Sequence, residues 1–307
     1  MTHSCQLSIL IAAYNCEASL ATTLDSIIAS LGEALDQAEI IIINDGSTDG
    51  TQAIIDNYAR QLPQLRSALT AHRNVGKVRN EAVSLATGEY VLMVDSDDQL
   101  LPCAVRDRLF TLQEQKPDIF LSKIIEVRGE PGQIPAWQAG EPEPLTQHQS
   151  IERFLVHRDY QAHFIGQFFS RRLLQQHAFP DFICYEDSWL FPLLLTESQK
   201  TLYSNHGFYL YRKHAGSLSS AITKQKIDCL IAATQHMDEV LPSRFASLIT
   251  CHWLDIANRY EDSLRSSGQD LLVYKRICQV SLSRFLLDGK IRLSYKRKML
   301  KVRKRGR

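Results

Sequence analysis

Three carboxylates crowd into the four-residue segment Asp95-Ser96-Asp97-Asp98. Their mutual repulsion is unfavourable unless a cation offsets it. Oxygen ligands at an open site suit Mg²⁺ or Mn²⁺, which usually keep water and accept further oxygens from a substrate diphosphate. The segment therefore favours a divalent-metal site. A solvated acidic turn that caps the following helix is the alternative.

Two further polar clusters, Tyr14-Asn15 and residues 44–47, follow apolar runs as the acidic segment does. The runs at 7–13, 40–43 and 90–94 are typical of strands covered on both faces. Because ligands of parallel α/β sheets bind beyond the carboxyl ends of the strands, we expect all three clusters at one rim of the sheet.

Residues with helical periodicity separate the predicted strands. Apolar side chains recur three or four positions apart in 20–31, and Gly32 follows as a C-cap. One further helix is expected to end before Pro63 and another to span about 77–86, with a short strand near 67–70 between them. This alternation predicts an α/β fold with a mostly parallel sheet.

The rest of the chain has a different pattern. Residues 128–150 contain four prolines and three glycines, which predicts a long loop. From Lys224 onward the apolar spacing is helical and no strand is expected. We therefore predict a C-terminal helical extension.

The composition is that of a globular protein, with 307 residues, 44% hydrophobic and 22% charged. It excludes a disordered chain, a collagen-like repeat and a coiled coil. Seven scattered cysteines without a CxxC pair favour free thiols over a zinc site. No run approaches the length of a membrane-spanning helix, and the first residues do not resemble a secretion signal, so we expect a cytosolic protein.

The net charge of +1 hides an uneven distribution. Residues 291–307 carry nine Lys or Arg and no acid, so the remainder has a net charge of −8. This basic segment contains apolar residues and fits an amphipathic helix on an anionic membrane surface. The alternatives are a disordered, solvated tail and a tail that touches nucleic acid non-specifically. The acidic body argues against a nucleic-acid partner.

The clusters belong to six segments that together resemble glycosyltransferase family 2. They occur in the family's order and span about two-thirds of the chain, from Leu7 to Ser219. The matching segments are LSILIAAYNCEASLATTLDSI at 7–27, IIIINDGSTDGT at 40–51, RNVGKVRNEA at 73–82, GEYVLMVDSDD at 88–98, YEDSWL at 185–190 and YLYRKHAGSLS at 209–219.

The resemblance implies the GT-A fold, with a nucleotide-sugar-binding half at 1–100 and an acceptor-binding half at 101–220 before the helical extension at 221–307. It also implies an inverting, metal-dependent glycosyltransferase that uses a UDP-sugar and Mn²⁺ or Mg²⁺. The implied acceptor is a hydroxyl of a glycan or lipid-linked saccharide in surface polysaccharide synthesis. The enzyme would work at the cytosolic face of the cell membrane.

By the same resemblance, Tyr14 would lie against the donor base and Asp45 would accept a hydrogen bond from a uracil nitrogen. A core aromatic and a turn-forming Asp are the alternatives. The family implies donor contacts at the following positions: Ala12, Tyr14, Glu17, Asp45, Arg79, Asp95, Ser96 and His214.

Asp95, Asp97 and His214 are the implied metal ligands, with the ribose as the alternative partner of Asp95 and the diphosphate as that of His214. Arg79 would add positive charge near the nucleotide. Only two residues separate Gly76 from Arg79, whereas the family commonly has four, so a solvated base at a helix N-terminus is the alternative for Arg79.

The resemblance makes Asp187 the base that removes the proton from the acceptor hydroxyl, since an inverting transfer needs such a base opposite the leaving diphosphate. Glu186 and Trp189 would contact the acceptor. A pair of acids at a helix N-terminus is the alternative for Glu186 and Asp187. Two other functions are weighed against the transferase: a sugar-nucleotide pyrophosphorylase, whose Gly-rich opening loop is missing here, and a non-catalytic binding module.

Overall fold

The computed structural model describes residues 5–128, 135–213 and 223–305. Their strands are β1 Leu7–Ala13, β2 Ala38–Asn44, β3 Leu65–Leu69, β4 Tyr90–Asp95, β5 Gln99–Leu100, β6 Ile119–Arg128, β7 Glu143–Leu145, β8 Phe168–Ser170 and β9 Thr201–Lys213. Their α-helices are α1 Leu20–Leu31, α2 Thr51–Gln61, α3 Val75–Leu85, α4 Ala104–Gln115, α5 Gln147–Leu155, α6 Arg171–Gln175, α7 Glu186–Glu197, α8 Lys224–Val240, α9 Ala246–Arg259, α10 Glu261–Ser267, α11 Asp270–Gln279, α12 Leu282–Leu287 and α13 Leu293–Arg305.

Within the described residues these strands form one mixed sheet in the order β3-β2-β1-β4-β8-β6-β9-β5, and β7 pairs with β9. Strands β1 to β4 run parallel, as their alternation with helices predicts. Their carboxyl ends therefore lie along one edge. The predicted α/β class and the predicted order of strands and helices in this part are confirmed.

Both faces of the parallel strands are buried. Along β1, Ile9 and Ile11 pack with α1 and α4, whereas Leu10 joins the core on the opposite face, which includes residues of α3 and α7. This alternation explains why the strand reads as a continuous apolar run, since a strand covered on both sides needs apolar residues at every position.

The predicted loop at 128–150 is wrong in part. Residues 143–145 form β7, and α5 begins at Gln147. Pro144 is tolerated because β7 lies at the margin of the sheet and pairs only with β9 there. Thr146 and Gln149 form a capping box that starts α5 despite the nearby prolines.

The predicted helical extension is confirmed in the described residues, where no strand follows Lys224. The basic segment forms α13, but its apolar residues Met299 and Val302 pack into the protein core rather than facing outward. The described part of α13 is therefore neither a disordered tail nor a helix whose main apolar face is exposed. None of the described helices has the length and apolarity that crossing a bilayer would require.

Candidate active site

The three polar clusters meet at the carboxyl edge of the parallel strands, as predicted. Ala12 on β1 lies beside Asp95 of β4, and Ala13 lies beside Asn44 of β2. The Asp45 N–H also donates to the Ala13 carbonyl at 2.8 Å. The end of β1 thus sits between the turn after β2 and the acidic turn after β4.

Tyr14 and Asp45 present groups suited to a planar base. The Tyr14 side chain is 49% exposed, and the Arg73 guanidinium lies 4.3 Å from the centre of its ring. Asp45 is buried, and its Oδ1 accepts hydrogen bonds from Thr70 Oγ1 at 3.1 Å and from the His72 N–H at 2.5 Å. Protein donors therefore hold the Asp45 carboxylate in a fixed orientation at this edge.

Glu17 and Ser96 join neighbouring loops. Glu17 Oε2 accepts a hydrogen bond from the Gly50 N–H at 2.5 Å, which ties the loop after β1 to the start of α2. The Ser96 carbonyl accepts from Ser19 Oγ at 2.9 Å and from Thr23 Oγ1 at 3.1 Å. The Glu17 contact thus holds the loop after β1 against α2, and the Ser96 contacts hold the acidic turn against the start of α1.

Arg79 lies among three carboxylates rather than in solvent. Its Nη1 is 2.6 Å from Asp187 Oδ1 and 2.9 Å from Glu186 Oε1, and its Nη2 is 3.6 Å from Asp95 Oδ1. The side chain is only 9% exposed. A buried charge needs such partners because leaving it unpaired in a low-dielectric interior is very costly. The alternative of a solvated base is wrong for Arg79.

Glu186 and Asp187 open α7, and both contact the Arg79 guanidinium directly. Burial raises the pKa of the Asp187 carboxyl, Arg79 and the Phe164 N–H oppose that rise, and Asp95 adds to it. Burial likewise raises the pKa of Glu186, and the neighbouring Asp187 adds to the effect. A carboxylate whose proton affinity is increased in this way is better suited to accept a proton from a hydroxyl.

The first turns of α3 hold the segment that leads to these acids. Asn74 caps α3 and donates to the Phe182 carbonyl at 3.0 Å, and Asn80 bonds both the N–H and the carbonyl of Phe179 at 2.8 and 2.9 Å. A Cβ on Gly76 would lie 2.8 Å from the Pro180 carbonyl oxygen, so only glycine permits this approach. The segment at 73–82 therefore positions Asp187.

Asp98, the last acid of the turn, is fully buried and points away from the edge. Its Oδ1 accepts from the Arg212 N–H and its Oδ2 from Tyr209 Oη, both at 2.7 Å. Burial, reinforced by Asp95, raises the pKa of Asp98 to about 8, and the Arg212 and Tyr209 hydrogen bonds oppose the rise. Tyr209 opens the segment at 209–219 that resembles the family, but the sequence alone predicts no role for it.

Asp95 and Asp97 are the described acids that could hold a metal. The Asp95 side chain is 37% exposed and Asp97 is half-buried. In the described ranges, no group of three or more His, Cys, Asp or Glu side chains is arranged so that it could hold a metal ion. The Asp95 and Asp97 carboxylates nevertheless fit Mg²⁺ or Mn²⁺, which take their remaining oxygens from water and phosphates. The predicted ligand His214 lies outside the described residues.

Trp189 was expected to contact the acceptor, whereas no role was expected for His163. The Trp189 ring stacks on His236 at 3.8 Å and meets the edge of Phe182, so one of its faces is covered by α8. His163, which the sequence interpretation treated as an ordinary histidine, lies near Asp95, and burial lowers its pKa. Its place near Asp95 could be recognised only in three dimensions.

Comparison with known proteins places the chain in a family. The model of glycosyl transferase family 2 matches residues 8–176. Glycosyltransferase YibD of Escherichia coli is 39% identical over 102 residues, which cover 33% of this chain and 29% of YibD. The chain spans about a third of the length of the first curated relatives that it matches.

Solved structures agree on the fold. Staphylococcus aureus TarS 1-349 in complex with UDP-GlcNAc has a TM-score of 0.72 at 19% identity, over 98% of this chain and 92% of that one. Mannosyltransferase PcManGT from Pyrobaculum calidifontis, in complex with GDP-Man and Mn²⁺, has a TM-score of 0.58 at 14% identity, over 97% and 84%. The predicted GT-A fold is confirmed, and the chain belongs to glycosyl transferase family 2.

Proposed function

We propose that this chain transfers a sugar from a UDP-sugar to a hydroxyl of a saccharide acceptor, with inversion at the anomeric carbon. The contact of Arg79 with both Asp95 and Asp187 carries the proposal, because it brings the proposed metal turn and the proposed base to one point. Such a transfer needs both groups within reach of one bound sugar. Membership of the family supports the same activity.

The donor base would stack on Tyr14, and Asp45 would accept the uracil N–H. The exposed ring of Tyr14 and the fixed Asp45 carboxylate support these roles. Ala12, Glu17 and Ser96 would line the remainder of the donor site. UDP-GlcNAc is the first donor to test, because TarS, which shares the fold, has been solved with it.

Asp95 and Asp97 would hold Mn²⁺ or Mg²⁺ together with the donor diphosphate, with His214 as a third proposed ligand. The bound ion would supply positive charge that stabilises UDP as the leaving group.

Asp187 would take the acceptor proton while the acceptor oxygen forms its bond to the anomeric carbon. The bond from that carbon to the diphosphate oxygen breaks, and its electron pair leaves with UDP. Arg79 and the Phe164 N–H hold the Asp187 carboxylate for this role. Glu186 and Trp189 are proposed to border the acceptor.

We further propose a cytoplasmic position on the inner face of the cell membrane, with a glycan or lipid-linked saccharide acceptor of surface polysaccharide synthesis. The name of the relative TarS, a poly(ribitol-phosphate) beta-N-acetylglucosaminyltransferase, supports a surface-polymer acceptor. The exposed, basic side of α13 supports contact with anionic lipid.

The test is UDP release from a panel of UDP-sugars with Mn²⁺ or Mg²⁺. It compares the wild type with Asp97→Ala, Asp187→Ala and the exposed control Asp56→Ala. We expect metal-dependent release for one sugar, lost in the first two variants and kept in the control. Loss of the base should lower turnover about 10²- to 10⁴-fold and leave UDP binding intact.

Two results would refute the proposal. One is that no UDP-sugar releases UDP, with or without candidate saccharide acceptors, and none raises the melting temperature. The other is that Asp187→Ala transfers sugar at the wild-type rate. Retention of the anomeric configuration in the product, read by NMR, would overturn inversion alone.

A further inference from the structure

We infer that Asp98 and Tyr209 form a buried hydrogen-bonded link that fixes the position of the acidic turn, so that both are positioning residues for the proposed metal ligands. The inference rests on the proposed function. It gives a role to the last acid of the turn and to a tyrosine far along the chain, neither of which faces the open edge.

The link starts at Asp98, which is the last residue of the turn and is fully buried. Both of its carboxylate oxygens are occupied by donors from β9, the Arg212 N–H and Tyr209 Oη, each at 2.7 Å. The Asp98 N–H in turn donates to the Asp95 carbonyl at 3.2 Å and closes the turn. A carboxylate held in this manner is not available to a metal ion.

The same tyrosine completes the link from the other side. Tyr209 Oη accepts a hydrogen bond from the Asp95 N–H at 3.0 Å while it donates to Asp98. One hydroxyl therefore contacts both ends of the turn that carries Asp97. Its ring is fully buried on β9.

Close packing prevents the tyrosine from moving away. A Cβ on Gly166 would lie 2.7 Å from Tyr209 Cβ and Cγ, so the Gly166 backbone presses directly against the side chain. Interiors packed to this density transmit a displacement instead of absorbing it. The geometry of the acidic turn thus depends on a contact 111 or more residues away in the sequence.

The competing role for Asp98 is that of a third metal ligand, and a double-mutant cycle separates the two. Mn²⁺ is titrated into wild type, Tyr209→Phe, Asp98→Asn and the double variant at saturating UDP. Free Mn²⁺ is measured by its electron paramagnetic resonance signal. The link predicts that each single variant raises the Kd for Mn²⁺ about tenfold or more, because a buried donor or acceptor at the turn loses its hydrogen-bond partner.

The decisive quantity is the Kd for Mn²⁺ of the double variant compared with those of the single variants. Because the two residues act through one contact, the double variant should bind Mn²⁺ little more weakly than either single variant. The matched control is Tyr203→Phe on the same strand, whose hydroxyl makes a longer 3.5 Å contact with Asn205, and its Kd should match the wild type. Should Tyr209→Phe fail to fold, Gly166→Ala displaces the same ring and should weaken Mn²⁺ binding likewise.

The remaining outcomes overturn the inference. Weak Mn²⁺ binding in Asp98→Asn with normal binding in Tyr209→Phe would make Asp98 a ligand. Unchanged binding in both would show that the turn does not need the link. If the wild type itself binds no Mn²⁺ with UDP, the proposed function fails and this inference fails with it.

Discussion

At the residue scale, Arg79 connects the two groups that the chemistry requires. The resemblance led us to expect a charge beside the nucleotide, whereas the structure has the guanidinium buried between Asp95, Glu186 and Asp187. Its main partners are 107 and 108 residues away. Local spacing carries no information about such a contact, which is why the partners of Arg79 could not be predicted. The position of Asp45 and Asp95 at one edge of the sheet could be predicted, since the order of strands and helices alone places them there.

Replacement of Arg79 tests its structural and chemical roles together. Arg79→Gln leaves three carboxylates without their shared cation, so the free energy of unfolding should fall by about 3–5 kcal/mol. Arg79→Lys should lose less because the charge remains. UDP release should fall sharply in both variants, since Asp187 loses its fixed partner. Urea unfolding and UDP release measure the two effects.

Arg172→Gln is the control for this experiment. Arg172 is 64% exposed and pairs with Asp118 at 2.8 Å, so its loss should cost less than about 1 kcal/mol. Equal unfolding midpoints for Arg79→Gln and Arg172→Gln would contradict a structural role for the buried guanidinium.

At the scale of elements, the strands and helices of the first hundred residues could be predicted because buried parallel strands and amphipathic helices have distinct apolar periods. The region 128–150 could not. Pro144 argues against a strand unless the strand is known to lie at the margin of the sheet, and that position depends on pairing with residues 201–203. Proline therefore indicates a loop only where the fold offers no position at the margin of a sheet that could accommodate it.

The junction of α3 with β4 depends on Gly88. A Cβ there would lie 2.6 Å from the backbone carbon of Leu7 and the backbone nitrogen of Ser8, neither of which can move without disturbing β1. We expect Gly88→Ala to lower the free energy of unfolding by about 2 kcal/mol or more. The control Gly289→Ala has open space around the added carbon and should be neutral or slightly stabilising. A melting temperature unchanged by Gly88→Ala would contradict this account of the junction.

The contact of α9 with the end of α5 predicts a pH-dependent stability. His252 Nε2 donates to the Leu155 carbonyl at 3.2 Å, and burial, with His157 nearby, lowers the pKa of His252 to about 4. The unfolded chain takes up this proton near pH 6.5 but the folded chain only near pH 4. Stability from this group is therefore complete above about pH 6.5 and declines as the pH falls towards 4, by at most about 3 kcal/mol.

Urea unfolding between pH 7 and pH 4 measures this effect. His252→Gln should flatten the decline relative to the wild type, whereas His206→Gln, at an exposed position, should leave it unchanged. An equally steep decline in His252→Gln would show that other groups are responsible.

At the scale of the whole molecule, the sequence predicts that α13 is a helix, but its packing decides which side of the helix is buried. Its sequence has apolar residues on two sides, so periodicity predicts a helix but not which side faces the protein. Contacts with α9 and its neighbours bury Met299 and Val302. The opposite side, which we term the outer face, consists of Leu293, Arg297, Leu300, Lys301 and Lys304, all exposed.

The outer face predicts how the molecule would meet a membrane. The five residues recur at helical spacing and include two leucines, three cations and no acid. Leucines inserted at the headgroup level and cations beside anionic lipid act together, each cation contributing about 1 kcal/mol. We expect the protein to co-sediment with vesicles that contain anionic phosphatidylglycerol, and to do so less at high salt. Vesicles of neutral phosphatidylcholine should bind much less.

Variants of the outer face distinguish binding through this surface from a general electrostatic attraction between basic residues and anionic vesicles. Arg297→Glu with Lys301→Glu and Lys304→Glu should abolish co-sedimentation. The charge-matched control Arg60→Glu with Lys116→Glu and Arg172→Glu, all exposed and outside α13, should retain it. Leu293→Ser with Leu300→Ser should weaken binding at high salt, where the apolar contribution remains after charges are screened. If both charge-reversed proteins bind vesicles alike, α13 does not direct the molecule to the membrane.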